Sequence, residues 1–374
     1  MKTRAAVLTE VGRPRPYAQS RPLTIEEIDL DPPGPGEVLV RMRAAGLCHS
    51  DLSVINGDRP RPMPMIIGPE GAGEVAEVGA GVRDLRPGDH VVTAFVPCCG
   101  SCEPCTSGRP ALCEPGFKAN STGTLLGGAQ RMRRAGAIIN HHLGVSAFAE
   151  HAITVRQSLV KVDNALPFDE AAVFGCAVMT GVGAVTNTVQ PHPGSSIAVI
   201  GLGGVGLAAL LGTRLTQAAI VIACDLSEEK LALARTMGAT HTINASDPQA
   251  LEQIRDLTRG GVHYAFEMAG SVKAMELAYS ATRRGGTTVT AGLSNPKHLF
   301  SIPHVGIVAE ERTIKGSYLG SCDPARDIPR YIELYRAGRL PIDRLLSEHI
   351  VLDQLNEGFD RLAEGRTVRQ IVTL

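Results

Sequence analysis

The sequence predicts an α/β chain of two domains, one β-rich and one built on a doubly wound parallel sheet. Three observations point there. At 374 residues the chain is too long for one small core. Up to about residue 175, short apolar runs alternate with a period of two and are broken by glycine and proline. From about residue 195 the texture changes to strands alternating with helices, the pattern of repeated βαβ units.

In the first part, Glu37-Val38-Leu39-Val40-Arg41-Met42 reads as a half-buried strand, and Gly71 to Gly79 as another bounded by glycines. Pro32-Pro33-Gly34-Pro35-Gly36, Gly79-Ala80-Gly81 and Pro87-Gly88-Asp89 carry turn chemistry. Residues 114–145 lack strong periodicity and are expected to form a long loop with short helical pieces. In the second part, Ser196–Ile200 is a buried strand, followed by a glycine turn and an Ala/Leu-rich helix to about Gln217. Ala219–Cys224 is the next strand. Ser227 then caps a helix Glu228–Met237 that Gly238 stops. Asp247-Pro248 opens another helix, Tyr264–Met268 and Thr287–Ala291 supply strands, and Val272–Thr282 is helical between them. Two amphipathic helices follow, one presenting Ile328, Ile332 and Tyr335, the other Leu355, Phe359 and Leu362; Arg369–Leu374 is a closing strand.

Composition narrows the function. Hydrophobic residues at 44% and charged residues at 20% describe an ordinary globular protein. A net charge of -1 gives no electrostatic reason to expect nucleic acid or an anionic membrane as partner. The N-terminal residues lack the apolar run of a signal peptide, and the most apolar stretch, Ile197–Gly212, is too short to span a bilayer, so a cytoplasmic address is expected. Five of the nine cysteines crowd into residues 98–113, which favours metal binding over disulfides.

Three motifs carry chemistry. Gly46-Leu47-Cys48-His49-Ser50-Asp51 places a thiol, an imidazole, a hydroxyl and a carboxylate in succession: groups that hold metal, move protons or orient neighbours. Gly201-Leu202-Gly203-Gly204-Val205-Gly206 follows a strand and opens a helix, the context GxGxxG requires. Gly201 permits the turn, Gly203 lets a pyrophosphate approach, Gly206 lets helix and strand pack, and the helix N-terminus attracts phosphate. Asp225 closes the next strand, where a carboxylate binds a ribose diol and repels a 2′-phosphate, so NAD is favoured over NADP. Finally, Cys99, Cys102, Cys105 and Cys113 have the spacing C-x2-C-x2-C-x7-C. Four thiolates close a tetrahedral shell around zinc, which marks a structural site. The C-x3-C-P continuation of a ferredoxin is missing, and Cys98 is a passive neighbour.

Taken in order, GLCHSD, GPEGAGEVAEVG, the four-cysteine lobe, FGCAVMTGVGA and GLGGVG with its downstream acid resemble the zinc-containing medium-chain alcohol dehydrogenases over nearly the whole chain. The segment leading to His141-His142-Leu143-Gly144 resembles their longer, class I/III-like branch, which includes glutathione-dependent formaldehyde dehydrogenases. The resemblance implies a GroES-like catalytic domain at 1–177 and 319–374, with a zinc lobe at about 95–116, and a Rossmann domain at 178–318. It implies a homodimer acting on a small alcohol or aldehyde with NAD and two kinds of zinc. By this match Cys48 and Cys176 are ligands of the catalytic zinc, Ser50 takes the substrate proton, and Asp51 and Glu70 are carboxylates behind the metal. His49 and Arg369 match positions at the cofactor's phosphates, Lys230 joins the cofactor-binding residues, and Phe95 matches a substrate-pocket aromatic.

Two residues depart from the family pattern. Its third zinc ligand is the histidine of a G-H-E triplet, which here reads Gly68-Pro69-Glu70; proline has no atom that can bind a metal. Glu70 is the nearest substitute, since carboxylates bind zinc. Ser53 stands where many relatives carry a histidine ending the proton relay. The expectation is an NAD-dependent alcohol dehydrogenase with a weakened catalytic site. The alternatives are a zinc-independent reductase of the same superfamily, or an NAD-binding protein whose activity went with the histidine.

Overall fold

In the computed structural model, which describes residues 1–374, the chain separates into two units. The first comprises Met1–Cys176, Asp323–Pro329 and Leu346–Leu374, and the second Ala177–Cys322 and Arg330–Leu345.

The first unit contains β1 (Lys2–Leu8), α1 (Tyr17–Ser20), β2 (Leu23–Leu30), β3 (Glu37–Gly46), α2 (His49–Ile55), β4 (Met65–Ile66), β5 (Gly71–Val78) and β6 (His90–Thr93). There follow α3 (Glu103–Thr106), α4 (Glu114–Thr122), β7 (Met132–Arg134), β8 (Ala137–His141), β9 (His151–Val155), β10 (Leu159–Val162) and α5 (Phe168–Ala172). The second unit holds α6 (Ala177–Gly183), β11 (Ser196–Ile200), α7 (Gly204–Thr213), β12 (Ile220–Asp225), α8 (Glu228–Thr236), β13 (His241–Asn244) and α9 (Ala250–Thr258). It continues with β14 (Val262–Glu267), α10 (Val272–Ala281), β15 (Thr282–Thr290), α11 (His304–Ala309) and β16 (Thr313–Gly316). Helix α12 (Pro324–Arg336), β17 (Leu346–Val351), α13 (Leu355–Ala363) and β18 (Arg369–Thr373) complete the chain.

In the first unit β1-β2-β7-β8-β4 close into a barrel, which leaves no sheet edge to satisfy. Ala5, Val7, Ile28, Leu30, Met132 and Ile139 pack in its core. The second sheet runs β10-β6-β5-β3-β18-β17, with β9 also pairing to β3. Strand β3 is the site's foundation. It pairs along its length with β5, while β9 and then β18 take its other edge, so its last residues Ala44, Ala45 and Gly46 are all buried. The chain leaves that buried end straight into Leu47 and Cys48.

Residues 114–145 are more regular than expected. Helix α4 starts under Cys113, whose sulfur accepts the Gly116 N–H, and stops at Gly123 with φ 72°. Beyond it β7 and β8 form a hairpin that completes the barrel. Its turn, Ala135-Gly136, takes positive φ at both positions (48° and 83°), the geometry that matches strand twist. The sequence signal was weak because alanine stands where asparagine normally announces such a turn.

The second unit is a six-stranded sheet in the order β13-β12-β11-β14-β15-β16, all pairs parallel. That is the doubly wound order, with its switch point at β11/β14. Ala198, Ile200, Ile222, Ile254 and Ala265 lie in its core. Strand β13 was not foreseen, being short and half polar, and helix α9 begins at Ala250 rather than Asp247. Asp247 instead receives the Gln249 N–H at 2.8 Å. Residues Arg330–Leu345 group with this unit, not with the first as the expected boundary had it. Fully buried Tyr331 explains this, its hydroxyl 3.2 Å from Thr186 Oγ1. No single helix is long and apolar enough to cross a membrane.

Candidate active site

Cys48 is the N-cap of α2, and the cap ties two site residues together. Its sulfur accepts the Asp51 N–H, while its own N–H donates to Asp51 Oδ2 at 3.2 Å. Asp51 is fully buried; its other oxygen receives the Gly68 N–H at 3.1 Å and lies 3.4 Å from His142 Nδ1. Burial first, and then the neighbouring Cys48 charge, push the Asp51 carboxyl well above its ordinary range. Burial also holds the His142 imidazole down to about 3, with the cations Arg61 and Arg59 adding to it, so the ring is neutral.

Cys176 follows a short 3₁₀ turn, Val173–Gly175. Gly175 is required there, because a Cβ would collide with the Thr93 carbonyl at the end of β6. This close approach brings Cys176 Sγ within 4.0 Å of Cys48 Sγ. The hydrogen bond from Cys176 lowers the Cys48 thiol, and Arg369 lowers it further; Cys176 moves up in response. Ser50 lies on the first turn of the same helix; its buried Oγ makes no regular hydrogen bond to nitrogen or oxygen but lies close enough to the Cys48 sulfur to help lower that thiol. A buried hydroxyl with only a sulfur beside it has hydrogen-bonding capacity to spare. The Ser53 hydroxyl donates to Ser50 O at 2.8 Å. His49 is exposed, and Phe95 is buried, its carbonyl accepting from Asn120 Nδ2 at 2.8 Å.

Glu70, expected as the substitute ligand, is placed otherwise. It is fully buried, and its Oε1 lies 3.3 Å from Arg369 Nε. Gly46 leaves the room for it, since a Cβ there would strike the carboxylate. Arg369 is itself buried; it donates to Leu47 O at 2.6 Å and leaves Nη2 without a partner. Cys48, Cys176 and Glu70 do not gather their ligand atoms as the four lobe cysteines do. Two sulfurs 4.0 Å apart suit two corners of a tetrahedral zinc, but Pro69 supplies no third. The residues present do not fit a three-ligand metal site.

The cysteine lobe does fit one. Its four sulfurs lie within 4.8 Å of one another, and a zinc with Zn–S near about 2.3 Å sets its sulfurs about 3.8 Å apart. Cys99 Sγ accepts N–H groups of Ser101 and Cys102 at 3.5 and 3.3 Å, and Cys113 Sγ those of Cys99 and Gly116 at 3.2 and 3.4 Å. Such donors stabilise thiolates; they bring Cys99 down to about 6, led by Ser101. Cys98 stands apart as a neutral thiol, pushed up to about 12 by burial and pointed at the carbonyls of Val96 and Pro110.

In the second unit, β11 ends on Gly201, whose φ is 92° and where a Cβ would meet Ala269 N at 2.7 Å. A Cβ on Gly206 would strike the Gly201 carbonyl, whereas Gly203 faces open space. Helix α7 begins at Gly204 beside Val205 with no side-chain cap, so its first N–H groups are available to an anion. Asp225 ends β12, accepting the Leu202 N–H at 2.6 Å and the Ser227 N–H at 3.0 Å. Lys230 lies half-buried on α8. The C-terminal ends of β11 and β12 thus present a phosphate cradle and an oriented carboxylate suited to a dinucleotide.

Two further residues of the site carry little signal in the sequence. For His142 it is an adjacent histidine pair before a glycine turn. Glu267, at the end of β14, accepts from Ala269 N, Gly270 N and Thr290 Oγ1 at 2.8, 2.6 and 2.7 Å, tying the strand ends beside Gly201.

Comparison with known proteins agrees with this geometry. Residues 34–164 match the alcohol dehydrogenase GroES-like domain and 204–337 the zinc-binding dehydrogenase family. A curated relative from Mycobacterium tuberculosis, whose name also places it among alcohol dehydrogenases, is 38% identical over 376 residues, covering 100% of both chains. An S-(hydroxymethyl)glutathione dehydrogenase of Escherichia coli is 35% identical, again with 100% of each chain covered. The solved benzyl alcohol dehydrogenase of Acinetobacter calcoaceticus superposes with a TM-score of 0.92 at 31% identity, covering 100% of this chain and 99% of that one. The chain is an oxidoreductase and belongs to the zinc-containing medium-chain alcohol dehydrogenase family.

Proposed function

We propose that the chain interconverts primary alcohols and aldehydes with NAD. The observation that carries this reading is the Ser50 hydroxyl, buried beside the Cys48 sulfur on the helical turn that Cys48 caps. An alcohol oxygen would take up the hydrogen-bonding capacity that a sulfur leaves unused. NAD supplies the hydride acceptor when bound. The cradle of Gly201, Gly203 and Gly206 would hold its pyrophosphate, and the Asp225 carboxylate would accept its ribose hydroxyls. Ser50 accepts the hydroxyl proton of the substrate alcohol and passes its own to water. Asp51 holds the Cys48 end of α2 in place for this. Two relatives are named for substrates bearing a hydroxymethyl group, which supports a primary alcohol.

The test is alcohol-dependent reduction of NAD and, in parallel, NADP, for primary and secondary alcohols. We expect primary alcohols with NAD to give the highest rate, and Ser50→Ala to lower kcat about 10²-fold. A chain that reduces neither nucleotide with any alcohol is not a dehydrogenase of this kind. An unchanged rate in Ser50→Ala removes the hydroxyl from the mechanism. The absent third ligand at Pro69 favours a second reading, an NAD-binding chain with residual activity, which the same assay separates.

A further inference from the structure

We infer that Arg59, with Arg61 beside it, receives a carboxylate on the substrate, so that the alcohol or aldehyde this chain prefers is an anion. The inference rests on the dehydrogenase reading and narrows its substrate class.

The two arginines ride on a turn fastened to the helix that carries Ser50. Arg59 N donates to Ser53 O at 2.8 Å, and Ser53 Oγ donates in turn to Ser50 O. Asn56 stiffens the turn, accepting the Asp58 N–H at 2.9 Å and donating to the Asp58 carboxylate at 2.7 Å. Arg61 Nη1 reaches Asn120 O at 3.4 Å, and Asn120 Nδ2 holds the carbonyl of Phe95, the expected pocket aromatic. Both cations act on buried His142, which adjoins Asp51.

Arg59 is half-buried, and its guanidinium has neither a hydrogen-bond nor an ion-pair partner in the protein. Three other partly buried arginines have an acid, Arg131 with Glu37, Arg312 with Glu310 and Arg361 with Glu348, and Arg43 lies over the Phe168 ring instead. A partly desolvated guanidinium without an acid is costly to keep, and a carboxylate matches its planar fork of donors. A neutral alcohol leaves that cost in place; an alcohol carrying a carboxylate at its far end removes it, which is a basis for discrimination.

The experiment compares 6-hydroxyhexanoate with 1-hexanol, substrates of similar length that differ in the terminal charge. We expect wild type to show a higher kcat/KM for the hydroxy acid. In Arg59→Gln the ratio of the two kcat/KM values falls on the order of ten- to hundred-fold, and Arg59→Lys recovers part of it. The ratio is insensitive to a general loss of active protein, so a ratio that stays at the wild-type value in Arg59→Gln overturns the inference, as does a wild-type ratio of one. Calorimetric titration of the protein with hexanoate, in the presence of NAD, reads the same contact without turnover. Binding to wild type that is lost in Arg59→Gln upholds the carboxylate site even if neither alcohol is oxidised and the dehydrogenase reading fails. Equal binding to both proteins, or none to wild type, overturns it.

Discussion

Replacing Cys102 by serine will remove one zinc per chain and lower the unfolding temperature of the first unit by about 10 °C, with a loss of about 4 kcal/mol behind it. Cys102 is tied into the cluster by its sulfur, 4.0 Å from Cys113 Sγ, and by its N–H on Cys99 Sγ. Little else organises the lobe. Helix α3 is four residues long, while Leu112 and Phe117 point their apolar surface outward. A segment with no core of its own draws its stability from the ion that its thiolates bind, and structural zinc peptides gain about 10–16 kcal/mol that way. Only part of that is lost here, because α4 and the barrel strands remain folded around the lobe. Metal analysis and a thermal melt of the variant test the point. Unchanged zinc and an unchanged melt mean that the four thiols hold nothing. A brown protein absorbing in the visible would replace zinc by iron and sulfide.

Legibility in the sequence tracked how local each physical cause is. The four lobe ligands are close in sequence, so their spacing alone implied the cluster. Gly201 and Gly206 each answer to a neighbour on the same βα turn, and Asp225 ends the adjacent strand, which is why the nucleotide edge was readable. Cys48 and Cys176 are far apart, and only the family pattern joined them before the fold did. The partnerships that pattern did not supply were missed. Glu70 was expected as a ligand because it neighbours Pro69, yet its carboxylate turns to Arg369 at the other end of the chain. His142 reaches Asp51 by tertiary packing with no local trace. The β7–β8 hairpin hid for the opposite reason: its turn is local, but Ala135 adopts a positive φ that its type does not advertise.

Substituting Pro69→His will raise the metal content from one toward two per chain and increase kcat/KM for alcohols by about 10²-fold or more, since Lewis-acid polarisation contributes several kcal/mol where a complete site exists. The backbone at this position is already fixed from every side. Gly68 N donates to Asp51 Oδ1 at 3.1 Å, Ala147 N donates to Gly68 O at 3.0 Å, and Gly46 N donates to Glu70 O at 3.3 Å. Gly68 has a φ of 111°, and a Cβ on it would meet Phe148 N at 2.8 Å, so the turn has one conformation whichever residue follows it. An imidazole introduced there enters a prearranged frame whose other corners, Cys48 and Cys176, are already 4.0 Å apart. Glu70 does not compete for the role because Arg369 holds it. Metal analysis and initial rates on the same preparation give the answer. A rise in both identifies Pro69 as the one missing ligand. Metal without rate would mean that the site fills but the substrate oxygen does not reach it. If neither moves, the sulfur pair in this chain has a purpose other than holding zinc, and Ser50 works without it.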